Sequence, residues 1–205
     1  MKPQEIEDLS FKIIKKEAGA HTFKDDQWPV VRRMIHTSAD FDYMDTVRFS
    51  PGAVQKGIAA IQSGCQIFTD TNMARVGIRK KEIHEFGGRV SCLIAKEDVA
   101  KKAKKTGTTR ALAAVDMACE LVKDGIYVIG NAPTALLRLI ELVKDKKADP
   151  ALVIGVPVGF VNAAESKDGL MALDIPYITN KGRKGGSNIA ASIVNALAIM
   201  AFDLK

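Results

Sequence analysis

The segment IGNAPTALLRL, residues 129–139, combines the end of a strand with the start of a helix and could bind an anion. An apolar run at 126–129 enters the turn 130–134, and a helical pattern follows at once. A helix that starts directly after a strand leaves backbone N–H groups without partners. Those groups and the positive end of the helix dipole favour a negative ligand. The sequence therefore predicts an anion site at Asn131 and Thr134.

The segment NKGRKGGSN, residues 180–188, is the second stretch with chemical potential. Its glycines let the backbone approach a ligand closely, and its basic side chains supply positive charge. The serine can cap the next helix while that helix's free N–H groups face an anion. P-loop spacing is absent, and a flexible, solvated basic loop is an equally good interpretation. The candidate ligand contacts are Arg183, Lys184, Gly185, Gly186 and Ser187.

The segment PVGFVNAAESK, residues 157–167, contributes Gly159 as a candidate backbone contact. Asn162 and Glu165 have nearly the spacing of a capping box, so we expect both to serve mainly as a helix start. No G-x-G-x-x-G sequence follows any predicted strand. This argues against a dinucleotide site or a Rossmann-type site for a methyl donor.

Two single residues stand out. His36 lies in RRMIHTSAD, near the end of a predicted helix and next to Ile35. A packed, hydrogen-bonded histidine and a catalytic one are both open interpretations there. Arg110 opens a helix in TGTTRA, where a positive side chain opposes the helix dipole. That local cost indicates a side chain kept for a ligand or a partner.

Composition limits the class of protein. A length of 205 residues, 47% of them hydrophobic, fits one globular domain over 1–205. The net charge of +6 indicates an anionic partner. Few aromatic residues accompany the basic ones, so we expect a small polyanion and no nucleic acid. The most apolar segment, 189–202, is too short to cross a bilayer, and no signal peptide is evident. We therefore expect a cytoplasmic protein without membrane contact.

The inventory of metal-ligating residues is sparse. The three cysteines are an odd number without C-x-x-C spacing, and reduced, buried thiols are the favoured interpretation. The three histidines form no pair with metal-ligand spacing. We expect no metal held by the protein.

The elements that must position these residues alternate along the chain. The predicted strands are continuous apolar runs, as in a parallel sheet covered on both faces. The sequence therefore predicts a three-layer α/β domain with a mainly parallel sheet, whose ligand loops meet at the carboxyl edge. Helical patterns cover about 3–17, 25–38, 50–63, 97–105, 109–123, 133 onwards, 163–172 and 188–203, and strand patterns cover about 46–49, 66–68, 90–94, 126–129, 151–156 and 177–179.

Taken together, the segments resemble the precorrin-8X methylmutase family of cobalamin biosynthesis. The resemblance runs from about residue 10 to the last helix, and TDTNM is closer to the branch that acts on cobalt-precorrin-8. It rests on RRMIHTSAD, TDTNMARVGI, TGTTRA, IGNAPTALLRLIEL, PVGFVNAAESK and GRKGGSNIAA.

This resemblance implies a cofactor-free isomerase that moves a methyl group from C11 to C12 of the corrin ring, giving hydrogenobyrinate or cobyrinate. It implies that His36 is the general acid, that Ser10 and Arg110 are substrate contacts, and that the protein is a homodimer. Some members have a threonine where this chain has Arg79, so a charged contact is expected there. A donor-dependent corrin methyltransferase and a corrinoid-binding carrier are the alternatives.

The implied substrate is a flat macrocycle edged with carboxylates. The basic loop and the helix starts at 131–134 and 187–188 could bind that edge, with an apolar slot for the ring face. On this interpretation, the anion at Asn131 and Thr134 is a carboxylate of the substrate.

Overall fold

A computed structural model describes residues 2–205. Within this range the chain forms eleven helices and six strands. In chain order they are α1 (Pro3–Ala18), α2 (Trp28–Ser38), α3 (Tyr43–Thr46), β1 (Val47–Phe49), α4 (Ala53–Gln62), β2 (Gln66–Thr69), α5 (Asn72–Gly77), α6 (Lys80–Glu85), β3 (Arg89–Ser91), α7 (Glu97–Thr106), α8 (Arg110–Leu121), β4 (Ile126–Ile129), α9 (Pro133–Lys144), β5 (Leu152–Gly155), α10 (Ala163–Met171), β6 (Tyr177–Asn180) and α11 (Ser187–Asp203).

The six strands form one sheet in the order β1-β6-β5-β4-β2-β3. All neighbours pair in parallel except β1, which is antiparallel to β6. Every residue of the central strands β4 and β5 is buried, which explains their unbroken apolar sequences. The predicted, mainly parallel sheet is confirmed.

Helices cover both faces of the sheet. Ile126 and Val128 of β4 point into a core shared with α1, α2, α4, α6 and α11. Tyr127 and Ile129 point into a second core shared with α7, α8, α9 and α10. Alternate residues of one strand therefore serve two cores, and the three-layer α/β arrangement is as predicted.

The apolar helix α11 lies at the centre of one layer, against α2, α4 and α5. Its buried side chains include Ile189, Ile193 and Leu197. Neighbouring elements of the same chain therefore account for its apolar sequence, which gives no separate indication of a subunit contact. Among residues 2–205, no helix is long and apolar enough to cross a membrane.

Several predicted boundaries were wrong by one to three residues, including the start of α4 at Ala53, and those of α2 and β3 have a visible cause. α2 begins at Trp28, because residues 24–27 form a turn closed by the Gln27 N–H on the Lys24 carbonyl oxygen at 2.9 Å. β3 ends at Ser91, where we had predicted a strand to residue 94. The chain turns there, with the Lys96 N–H donating to the Leu93 carbonyl at 2.9 Å.

Candidate active site

The loops that follow the parallel strands meet at the carboxyl edge of the sheet, as predicted. The hydroxyls of Thr71 and Ser187 lie 2.7 Å apart. The Gly159 N–H donates to the Arg183 carbonyl at 3.1 Å, and the Gly186 N–H donates to the Val156 carbonyl at 3.0 Å. Contacts between the loops therefore fix this edge, although the loops are far apart in sequence.

The anion at the start of α9 belongs to the protein itself. The Asp70 carboxylate accepts the backbone N–H groups of Gly130 at 3.0 Å and of Asn131 and Ala132 at 2.8 Å each. Burial raises the pKa of Asp70, and the three N–H donors oppose that shift. The prediction that these N–H groups face a substrate carboxylate is wrong, because they are already occupied. The N–H group of the exposed Asn131 is occupied, so its side chain is what it offers a ligand, and the half-buried Thr134 offers its hydroxyl.

The glycine-rich loop 181–186 is held by buried groups. The fully buried Lys167 donates from Nζ to the Lys184 carbonyl at 2.7 Å, and Asn180 Nδ2 donates to the same oxygen at 2.9 Å. Burial lowers the pKa of Lys167 to about 8. Gly185 has φ of 153°, and a Cβ there would lie 2.1 Å from the Val156 carbonyl oxygen. The loop backbone is therefore fastened, which contradicts the interpretation as a flexible turn.

The charged side chains of that loop differ in availability. Lys184 Nζ lies 2.6 Å from carboxylate oxygens of both Asp40 and Asp42, so its charge is already paired. The exposed Arg183 lies over the Phe160 ring at 5.5 Å, and Phe160 itself is 84% exposed. Arg183 with Phe160 thus offers a charge and an apolar surface side by side.

The predicted cap at Ser187 is wrong, and the predicted helix start at Asn162 is right in position but lacks the side-chain capping bond. Gly186 is the N-cap of α11, and Ser187 is its first residue, whose hydroxyl contacts Thr71 instead of capping. Asn162 is the N-cap of α10 in the left-handed conformation, with φ of 60°, and its side chain makes no capping hydrogen bond. At the start of α11 a tertiary contact with Thr71 therefore replaces a local side-chain cap.

His36 lies on the exposed side of α2. Its ring meets the ring of Phe11 edge-on, with centroids 5.2 Å apart. Ser10 precedes Phe11 on α1, and its hydroxyl donates to the Ile6 carbonyl at 2.8 Å. The histidine is therefore not enclosed in the core, and its ring is accessible beside α1.

A cleft of about 770 Å³ opens beside Phe11. It lies between α1, α2, α6 and α11, and its size falls within the range of small-molecule sites. Glu7 pairs with Arg33 at 2.7 Å, and Glu82 pairs with Arg79. The cations that line it are Lys12, Lys15, Arg32, Arg33, Arg79 and Lys81. The cleft thus combines an aromatic wall with an excess of positive groups.

Arg110 lies apart from this cleft. It is the first residue of α8, and the Thr109 side chain caps that helix by accepting the Leu112 N–H at 3.2 Å. The Thr109 and Thr134 hydroxyls lie 3.4 Å apart, so Arg110 and Thr134 belong to one group at the carboxyl edge. α8 and α2 cover opposite faces of the sheet. The structure therefore places the predicted contacts in two groups, one near His36 and one near Arg110.

Sequence reasoning missed four residues of these sites. Asp70 and Lys167 act on main-chain atoms of distant loops, for which no local pattern exists. Phe11 follows the predicted Ser10 directly. Arg32 lies within RRMIHTSAD, and its position one helical turn before His36 was the available indication.

The fold and the cleft define an α/β protein that can bind a small polyanionic ligand with an apolar face, next to an accessible histidine. A family model described as precorrin-8X methylmutase matches residues 5–200. The chain belongs to the precorrin-8X methylmutase family, and it is an isomerase of cobalamin biosynthesis.

Individual relatives cover nearly the whole chain. It is 49% identical to the cobalt-precorrin-8 methylmutase of Priestia megaterium, over 98% of this chain and 89% of that protein. It is 40% identical to the precorrin-8X methylmutase of Pseudomonas aeruginosa, over 95% and 94% of the two chains. A crystal structure of precorrin-8X methylmutase from Thermus thermophilus matches with a TM-score of 0.90 and 45% identity, over 97% of this chain and 98% of that one.

Proposed function

We propose that this protein moves a methyl group from C11 to C12 of cobalt-precorrin-8 and releases cobyrinate, with His36 as the general acid. The observation that carries the proposal is the accessible His36 ring beside the cationic, aromatic-walled cleft. Relatives named cobalt-precorrin-8 methylmutase are 49%, 44% and 45% identical to this chain. Proteins named precorrin-8X methylmutase are 45%, 40% and 35% identical, so the cobalt-bearing substrate is favoured mainly by the relative at 49% identity.

The role of His36 follows from the chemistry of the shift. An intramolecular methyl migration needs no methyl donor and no covalent nucleophile, but it gains from a fixed substrate conformation and a proton delivered to a ring nitrogen. Histidine can deliver a proton near neutral pH. The buried Val31, Met34 and Ile35 anchor α2, and the Phe11 contact orients the ring.

The substrate carboxylates would bind the cations of the cleft. Arg79 is exposed at its edge and keeps donor capacity beyond the bond to Glu82. The Ser10 hydroxyl donates to a carbonyl, which leaves its oxygen able to accept a hydrogen bond. Arg79 thus supplies charge on one side of the macrocycle, Ser10 supplies a neutral hydrogen-bonding group, and Phe11 supplies an apolar contact.

The second group of predicted contacts suggests a homodimer. Arg110 and Thr134 lie across the sheet from the helix that carries His36. We propose that a second copy of the chain brings its own Arg110 group, with Asn131, Gly159 and Arg183, toward the cleft. Sedimentation at micromolar concentration tests this assembly, and a monomer would contradict it. The expected cytoplasmic location stays a prediction.

The decisive experiment is incubation with cobalt-precorrin-8, and separately with metal-free precorrin-8X, while the visible spectrum is followed. We expect conversion of the cobalt form to cobyrinate without incorporation of label from a labelled methyl donor. A donor-dependent methyltransferase would incorporate the label. A corrinoid carrier would bind product and leave the substrate spectrum unchanged. Either of these results would contradict the proposal.

A further inference from the structure

Arg32 and His36 occupy the same side of α2. They are four residues apart, so their side chains are neighbours on the helix surface. Phe11 of α1 contacts both of them. The Arg32 guanidinium carbon lies 4.1 Å from the centre of the Phe11 ring, and the His36 ring meets it edge-on. One phenyl ring therefore fixes the arginine and the proposed acid relative to each other.

Arg32 differs from the other arginines of the cleft in its partners. Arg33 pairs with Glu7 at 2.7 Å, and Arg79 pairs with Glu82. Within residues 2–205, Arg32 forms no ion pair, and its Nε atom is buried without a hydrogen-bond partner. Burial lowers the pKa of Arg32, and the charge of Arg33 lowers it further. The charge of Glu7 opposes this shift without forming an ion pair with Arg32, so the guanidinium is only partly compensated.

An unpartnered, buried guanidinium group raises the free energy of the empty protein and favours the binding of an anion. A buried polar group without a partner loses the hydrogen bonds that water would supply. A carboxylate can bind a guanidinium through two parallel hydrogen bonds. Arg32 faces a cleft of about 770 Å³, so a ligand carboxylate has room to reach it.

We infer that Arg32 binds a peripheral carboxylate of the corrinoid and thereby sets the position of the macrocycle relative to His36. The inference deepens the proposed function and rests on it. The competing interpretation is that Arg32 only packs on Phe11 and stabilises the packing of α1 against α2. The two interpretations differ in how binding depends on the charge of the ligand.

The test compares cobyrinate with the same corrinoid after methyl esterification of all its carboxylates. Arg32→Met keeps an apolar stem over Phe11 and removes the guanidinium. We expect it to weaken cobyrinate binding roughly 10- to 100-fold, as for loss of a charged hydrogen bond. Binding of the ester should be the same in the wild type and the variant. Arg32→Lys keeps the charge but cannot form two parallel hydrogen bonds. Its affinity for cobyrinate should lie between those of the wild type and Arg32→Met.

Arg89→Met is the matched control, because Arg89 is exposed on β3 and lies outside the cleft. It should bind cobyrinate with wild-type affinity. The inference that Arg32 binds a carboxylate is overturned by either of two results. One is wild-type affinity of Arg32→Met for cobyrinate, and the other is an equal loss of affinity for cobyrinate and for its methyl ester. If Arg32→Met does not fold, Arg32→Lys decides alone, and wild-type affinity for cobyrinate overturns the inference.

Turnover separates the two proposals. If the wild type fails to convert cobalt-precorrin-8, the proposed function fails, whatever the variants bind. If it converts the substrate while Arg32→Met shows unchanged KM and product affinity, only the role of Arg32 is lost.

Discussion

Replacing Asp70 with asparagine tests whether an internal carboxylate holds the start of α9. Asp70 Oδ2 accepts the N–H groups of Asn131 and Ala132, and Oδ1 accepts that of Gly130. An amide offers one oxygen, which can keep the two bonds at 2.8 Å. Its NH2 group would then face the Gly130 N–H, where two donors oppose each other.

The magnitude follows from these three bonds. A hydrogen bond to a charged group contributes about 1.5–3 kcal/mol, and a neutral one contributes roughly half as much. Losing one bond and weakening two gives roughly 3–6 kcal/mol, and relief from burying a charge reduces this to about 2–4 kcal/mol. In a protein of this size, the melting temperature should fall by roughly 4–16 °C.

Urea denaturation and thermal melting of wild type and Asp70→Asn, followed by circular dichroism at neutral pH, measure the effect. Asp145→Asn is the control, because Asp145 is exposed and its carboxylate accepts a bond only from Lys147, at 2.9 Å. It should change the unfolding free energy far less. A loss below about 0.5 kcal/mol in Asp70→Asn would refute the reasoning, since such a change is usual for surface substitutions.

Three further predictions concern the site. His36→Asn should fold and bind cobyrinate normally, but its turnover rate should fall roughly 10²- to 10⁴-fold. A near-native turnover rate would contradict the role of His36 as general acid. Replacing Arg183 and Lys184 together should weaken corrinoid binding and reduce its salt dependence, whereas Lys184→Met alone should do little because Asp40 and Asp42 already pair it. Burial lowers the Lys167 pKa from 10.5 to about 8, so the unfolded state holds more protons between these values. The unfolding free energy of the wild type should therefore rise relative to that of Lys167→Met as the pH increases from about 8 to 10.5. A difference that stays constant with pH would contradict this prediction.

Local patterns predicted most of the fold. The run at 126–129 is fully buried as β4, and the helical pattern after Pro133 is α9. These predictions succeeded because apolar periodicity and proline at a helix start are properties of neighbouring residues. The parallel sheet followed from strands without alternation.

The site was harder to predict because its key contacts join distant residues. Asp70 reaches N–H groups about 60 positions away, and Lys167 reaches a carbonyl 17 positions away. A free helix start and one filled by an internal carboxylate have the same local sequence. The charge of Lys184 looked available for the same reason, since Asp40 and Asp42 precede it by more than 140 residues.

The short outer strands of the sheet affect how copies of this chain can associate. β1 and β3 are the edges, and each contains three residues. A short edge offers few free backbone groups as a template for an added strand. Two copies joined edge to edge would gain few hydrogen bonds, so a stable assembly has to use helix and loop surfaces. For the same reason, strand-to-strand aggregation has little exposed edge from which to start in a concentrated sample.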